Sequence, residues 1–255
     1  MSERIFLAGA TGAVGRALVP LLVGRGQAGH AGHAGHAVSG ATRRAERGDA
    51  LKALGATPVV VDVFDRDALH AALREIEPTV VIHQLTDLPP GLDPQRMADA
   101  TARNARVRSE GTRNLVDAAL AAGCGRMIAQ SIAWAYAPGG QPWTETHPLD
   151  RDATGARRTS VDGVIALEDA VLQTPGLQGT VLRYGQLYGP GTGMPGPGGA
   201  SPLHVDAAAW AAALALEHGV QGVFNVAEAC DALDSTKAQR AFHWRADLRL
   251  PEGAR

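Results

Sequence analysis

Aromatic side chains make up only 4% of this 255-residue sequence, and lysine occurs twice, at Lys52 and Lys237. With few rings available, alanine and glycine must fill the interior, which implies close contact between helices and sheet. Cys124 and Cys230 fit no metal or redox spacing. They could in principle pair, but they read as two free thiols of a reducing compartment. No apolar run approaches the roughly 20 residues that span a bilayer. The first apolar strand begins almost at Met1, leaving no room for a secretory leader, so a cytoplasmic location and no membrane partner are expected. Charge of one sign is also lacking. The 24 basic and 26 acidic residues give −2, which argues against a nucleic-acid partner. What remains, 45% hydrophobic and 20% charged, is ordinary globular composition in a chain long enough to bury a large core.

The most informative stretch comes first. Arg4 to Ala8 reads as a short buried strand, and the run from Arg16 to Val23 as a helix. Between them lie Gly9, Ala10, Thr11, Gly12, Ala13, Val14 and Gly15. Three glycines at this spacing allow a tight turn, an approach of backbone to a pyrophosphate, and close packing of helix on strand. The helix N-terminus then offers free N–H groups and a positive dipole end. A dinucleotide site of the Rossmann type is expected, with Gly9, Thr11, Gly12, Ala13, Val14 and Gly15 around the phosphates.

Gln27 is followed by Ala-Gly-His three times, ending in His30, His33 and His36. Three imidazoles could hold a metal. The preferred reading is a tandem expansion of a flexible turn at the sheet edge opposite the cofactor, with no metal site. The second strand, Ala37 to Ala41, leads to Thr42-Arg43-Arg44. An acidic residue there would bind a ribose 2′-OH; two guanidinium groups suit a 2′-phosphate instead, which points to NADP over NAD. A third strand, Pro58 to Val63, places Asp62 and Val63 near the adenine, although Asp62 could equally cap the helix from Asp65 to Glu75. The fourth strand, Thr79 to His83, delivers Leu85 and Thr86 to the nicotinamide side. His83 reads as a core residue.

A long helix from Met97 to Ala122 has ion-pair spacings Asp99–Arg103, Arg106–Glu110 and Arg113–Asp117. Arg126 to Ser131 is the fifth strand. A loop from Pro138 to Arg158 precedes a helix from Val161 to Gln173, with Ser160 as its cap. Gly179 to Tyr184 is strand six, Gly189 to Gly199 a glycine-rich segment over the site, Val205 to His218 a helix and Gly222 to Val226 a last strand. A short helix and Trp244 fall in the tail from Ser235 to Leu250. Strand and helix alternate, which demands a doubly wound parallel α/β sheet. The expected organisation is a dinucleotide-binding Rossmann unit over 1–190 with a small C-terminal substrate-binding part over 191–255 packed on it.

Four stretches together carry a family resemblance: Gly9 to Gly15; Glu110-Gly111-Thr112-Arg113-Asn114-Leu115; Leu182-Arg183-Tyr184-Gly185-Gln186-Leu187-Tyr188-Gly189-Pro190-Gly191; and His204-Val205-Asp206 followed by Gly222 to Val226. The sequence resembles the extended short-chain dehydrogenase/reductase superfamily, in its NAD(P)-dependent epimerase/dehydratase group. The resemblance implies a Rossmann fold, NAD(P) and hydride chemistry, and a dimer through the helices from Met97 and Val161 as a possible assembly. It also implies a Tyr-x-x-x-Lys dyad followed by a glutamate. Glu168 fits that glutamate, which puts Ser160 and Val164 where the tyrosine and lysine would stand. The assisting serine is shifted, with Ile132 at its place and Ser131 beside it. The family asparagine aligns near Arg108, with Asn104 one turn earlier.

The sequence therefore reads as an atypical member without the dyad. Proton-donor candidates are the groups at the C-terminal strand ends: Tyr136 first, because a phenol in a loop beside the nicotinamide can donate, then Ser131 and Tyr184, with Thr86 and Asp87 after strand four. The expected function is an NADP-dependent oxidoreductase acting on a small, fairly apolar carbonyl or related substrate. The alternatives are a redox-sensing NADP-binding protein without turnover, and a lyase or isomerase using bound cofactor.

Overall fold

The computed structural model describes residues 2–24, 35–89 and 93–254. Seven parallel strands form the main sheet: β1 (Arg4–Ala8), β2 (Ala37–Thr42), β3 (Thr57–Val60), β4 (Val80–His83), β5 (Arg126–Ile132), β6 (Gln178–Tyr184) and, after two short strands, β9 (Gly222–Val226). Their spatial order is β3-β2-β1-β4-β5-β6-β9. The order reverses between β1 and β4, so the crevice for a ligand opens at their carboxyl ends.

Each central strand is buried on both faces, and its alternating side chains feed two cores. Ile5, Leu7, Val80, Ile82, Ile128 and Leu182 face one layer. There they meet α1 (Ala13–Leu22) and the alanine-rich α7 (Val205–His218). Phe6, Val81, Met127, Ala129 and Val181 face the other. That layer holds α3 (Arg66–Ile76), α5 (Thr112–Ala121) and α6 (Gly155–Leu172). Helices on both faces make the fold doubly wound. Small side chains in α1 and α7 let the two helices lie close together.

Of the segment 191–255, β9 completes the main sheet and α7 packs against α1. The short helix α8 (Thr236–Phe242) and Trp244 join the same core. A separate two-stranded sheet pairs β7 (Gln186–Tyr188) with β8 (Pro202–His204).

Several local expectations shift. The long helix is broken into α4 (Met97–Arg106), a π-helical turn over Val107–Gly111, and α5. Of its three expected pairs the structure holds Arg106–Glu110, at 2.7 Å. Arg103 instead faces Asp87 at 3.6 Å, and Asp117 meets Arg66 at 3.3 Å. Partners from neighbouring elements, invisible to helical spacing, take those charges. Helix α6 starts at Gly155 rather than Val161, so Ser160 lies inside it and is no cap. Arg157 bonds Asp150 at 2.7 Å and the carbonyls of Trp134 and Tyr136, tying the first turn down where local composition suggested loop. The Ala-Gly-His units through Ala34 lie outside the described residues. His36 is described, and its Nδ1 accepts from the Glu3 amide at 3.0 Å. Both cysteines are free. Among the described residues no helix is long and apolar enough to cross a membrane.

Candidate active site and cofactor cleft

A cavity of about 1220 Å³ opens over the carboxyl ends of β1, β2, β4, β5 and β6. At one end lies the turn from β1 into α1. Gly9 takes φ +88°, and a Cβ there would stand 2.6 Å from the Gln84 carbonyl. A Cβ on Gly15 would collide with the Gly9 carbonyl oxygen. These two glycines bring β1, β4 and α1 together more closely than any side chain permits. Gly12 serves as N-cap of α1 with no side-chain cap, and no acidic residue occupies the first turn. Orphan N–H groups therefore face an opening lined by Gly9, Thr11, Gly12, Ala13 and Val14. An uncapped helix start in a glycine cradle fits a pyrophosphate.

Arg43 and Arg44 line the cavity, both exposed, beyond the end of β2. Arg47, which was not singled out by the sequence, joins them, with Nη1 3.4 Å from Thr11 Oγ1. Its signal was present as a third arginine one turn on. Val63, Leu85 and Thr86 also line the cavity. Asp62 does not reach the lining: its Oδ1 accepts from the Phe64 amide at 3.0 Å, closing a local turn. Asp65, not Asp62, caps α3 by accepting from Ala68.

At the other end the expected proton donors are placed differently. Tyr136 is 1% exposed and does not line the cavity. Its hydroxyl donates to Asn225 Oδ1 at 2.6 Å and accepts from Arg183 Nη1 at 2.8 Å. Burial pushes its phenol up, against the pull of Arg183. Ser131 is likewise buried away from the cavity and donates to Glu168 Oε1 at 2.8 Å. Glu168 in turn holds Arg183 through both oxygens, at 2.9 and 2.6 Å. Burial works against the Arg183 charge, but the Glu168 bonds prevail and hold it above its ordinary range. Tyr136, Ser131, Glu168, Arg183 and Asn225 thus form one satisfied polar core joining β5, α6, β6 and β9. Tyr184 does line the cavity, but its hydroxyl donates inward to the Ala208 carbonyl at 2.9 Å, and burial pushes its phenol up.

Ser160 lines the cavity, whereas Val164 is fully buried among Ile132, Ala135 and Val161. Neither of the two lysines lines it: Lys52 pairs with Asp49, and Lys237 bonds the Val223 carbonyl. His83 is buried, its Nδ1 accepting from the Leu85 amide and its Nε2 facing Thr112 Oγ1 at 3.0 Å. The first contact assigns the proton to Nε2. Burial, with Arg108 nearby, lowers its pKa to about 4, so the ring is neutral. Sequence reasoning passed over Gln84, which is buried on the cavity wall beside the Tyr184 hydroxyl. Leu88, Trp134 and Met194, 41%, 37% and 41% exposed, form apolar patches on the cleft. Gly191, Thr192 and Met194 bring the glycine-rich segment to its edge.

The chain matches the model of the NAD dependent epimerase/dehydratase family over residues 5–221. It belongs to that family. A relative from a Streptomyces species, 3-diazoavenalumate denitrifying reductase, is 39% identical over 246 residues, covering 88% of this chain and 76% of the relative. Among solved structures, the Thermus thermophilus UDP-glucose 4-epimerase in complex with NAD is 22% identical and has a TM-score of 0.70, over 98% and 96% of the two chains. The Thermotoga maritima UDP-glucose 4-epimerase with UDP-glucose is 18% identical, with a TM-score of 0.72 over 98% and 96%. These epimerases share the fold. As in other members of the epimerase/dehydratase family, the glycine turn and the strand ends place a nucleotide cleft at the switch point of the sheet.

Proposed function

We propose that this protein is an NADPH-dependent reductase of a small aromatic diazonium substrate, releasing its nitrogen as N2. The observation that carries the reading is a dinucleotide cleft whose reacting end holds no lysine and no free phenol. The name of the Streptomyces relative supports the substrate class. The bound reduced nicotinamide supplies a hydride. Added to a carbonyl, a hydride leaves an alkoxide that needs a proton, which is the task of a tyrosine–lysine dyad. A diazonium group, R–N2+, is already cationic, so hydride at its terminal nitrogen gives a neutral diazene, R–N=NH. The diazene collapses to R–H and N2, its hydrogen passing to carbon. R–N2+ plus hydride therefore balances R–H plus N2 with no external proton.

The chain's own residues then have binding roles. The Gly9–Val14 turn and the α1 N-terminus hold the pyrophosphate. Arg43, Arg44 and Arg47 take the 2′-phosphate, which favours NADPH over NADH. Leu85 and Thr86 flank the nicotinamide. Diazonium groups persist on aromatic rings, and Trp134, Leu88 and Met194 offer apolar surface to such a ring. Under anaerobic conditions, benzenediazonium carboxylates are expected to oxidise NADPH and release N2 in equal amounts, with deuterium from [4-2H]NADPH appearing on the ring carbon. No oxidation above the protein-free rate, with NADPH still bound, overturns the reading in favour of a cofactor-binding protein without turnover.

A further inference from the structure

Arg108 sits in the π-helical turn between α4 and α5, a distortion often found at functional sites. It is 6% exposed and lines the cleft, yet no hydrogen bond or ion pair ties its guanidinium to any described residue. The buried carboxylate within electrostatic range is Glu168, and both its oxygens are taken by Arg183 and Ser131. With His83 neutral, the buried charges of this region are Arg108 and Arg183 against Glu168, an excess of one positive charge. Burial lowers the Arg108 pKa to about 10, so the group stays charged at neutral pH. A buried, uncompensated guanidinium is strongly destabilising unless something supplies the missing anion. One turn earlier, Asn104 also lines the cleft; its Oδ1 accepts from the Asp87 amide, and its Nδ2 has no hydrogen bond among the described residues. The phosphates of a dinucleotide belong at the other end, over the glycine turn.

We propose that Arg108, assisted by Asn104, is the anion-binding residue of the substrate site, and that the substrate carries an oxyanion, a carboxylate or phenolate, on the ring that accepts hydride. The electrostatics give the reason. A diazonium cation would be repelled by an unpaired guanidinium, whereas a zwitterion bearing an oxyanion and a diazonium group neutralises Arg108 on entry. The forked guanidinium matches a carboxylate in two parallel bonds, and the ring is thereby set in one orientation in the cleft. The zwitterion rests on the reductase reading above; the anion site rests on Arg108 alone.

The test uses ligands that need no turnover. Calorimetry on the NADP+-bound protein would compare benzoate, cinnamate and 4-hydroxycinnamate with their neutral amides. At least one acid is expected to bind about tenfold or more tightly than its amide. Arg108→Gln should abolish that preference, Arg108→Lys should retain part of it, and both should keep the NADPH affinity within about twofold. Arg108→Gln is also expected to raise the melting temperature, because a neutral amide replaces a charge held for binding. A purely structural arginine would lower it. Failure of every acid to bind, equal binding of acid and amide, or a preference surviving in Arg108→Gln overturns the proposal. An acid preference that depends on Arg108, found in a protein that reduces no diazonium, would uphold the anion site and remove the reductase reading.

Discussion

The two ends of the cleft are built on opposite principles. The phosphate end is made of backbone: glycines that let strands and helix approach, and an uncapped helix start whose N–H groups point at an opening. The other end is made of side chains, and two of the strand-end groups expected to transfer a proton, Tyr136 and Ser131, are locked into a polar core behind the wall. A backbone cradle serves any dinucleotide and varies little with chemistry. A side-chain constellation can be re-partnered by a few substitutions while the fold stays the same. Among the described residues, the Arg108 guanidinium lines the cleft with no hydrogen bond or ion pair.

The largest expected effect is at Gly15. Adding one methyl group in Gly15→Ala drives it into the Gly9 carbonyl, where neither backbone segment can yield. A loss of more than about 4 kcal/mol is expected, measured by chemical denaturation. Survival with NADPH binding intact would show that the phosphate end is less rigid than its geometry.

Next come the buried groups of the reacting end. Arg183→Met strands the Glu168 carboxylate and should cost about 3–5 kcal/mol. Tyr136→Phe removes one hydroxyl from the same core and should cost about 1–3 kcal/mol while turnover changes by less than about threefold. A collapse of turnover with unchanged stability would restore Tyr136 as proton donor. His83 sharpens the contrast through pH. Its native pKa near 4 lies below the ordinary 6.5, so the unfolded state takes up the proton first as pH falls. The protein should lose about 3 kcal/mol between pH 6.5 and pH 4 on this account. Denaturation across that window should show a shallower slope for His83→Gln than for the parent.

The smallest effect belongs to the exposed arginines. Arg43→Ala with Arg44→Ala should weaken NADPH by about tenfold and leave NADH within about twofold. Equal losses for both nucleotides would assign those arginines to the common phosphates, and no loss would leave Arg47 as the discriminating group.

The contrast also explains what could be read early. Local rules sufficed for the β1–α1 turn, the alternation of strands and helices and the parallel sheet, because glycine spacing, apolar runs and helix starts are properties of neighbouring residues. Arg43 and Arg44, which follow directly on β2, line the cleft as their place in the chain implies. Local rules failed for Asp62 as a helix cap, since Asp65 caps α3, and for Ser160, because α6 is extended by Arg157 reaching back to Asp150 and two carbonyls. Helical spacing likewise paired Arg113 with Asp117, while the fold set Arg66 beside Asp117.

Residues adjacent in the chain thus suffice for a doubly wound α/β fold and for the glycine turn between β1 and α1. Which polar side chains face the cleft follows from contacts between elements far apart in the chain. Tyr136 and Ser131 stand at strand ends, as a donor should, yet partners 89 and 37 residues away draw them into the core. Arg108 resembles its exposed helical neighbours in sequence, but packing of the π-helical turn buries it without a counterion. Burial and long-range pairing set the free energy of a charge, and neither is a property of residues adjacent in the chain.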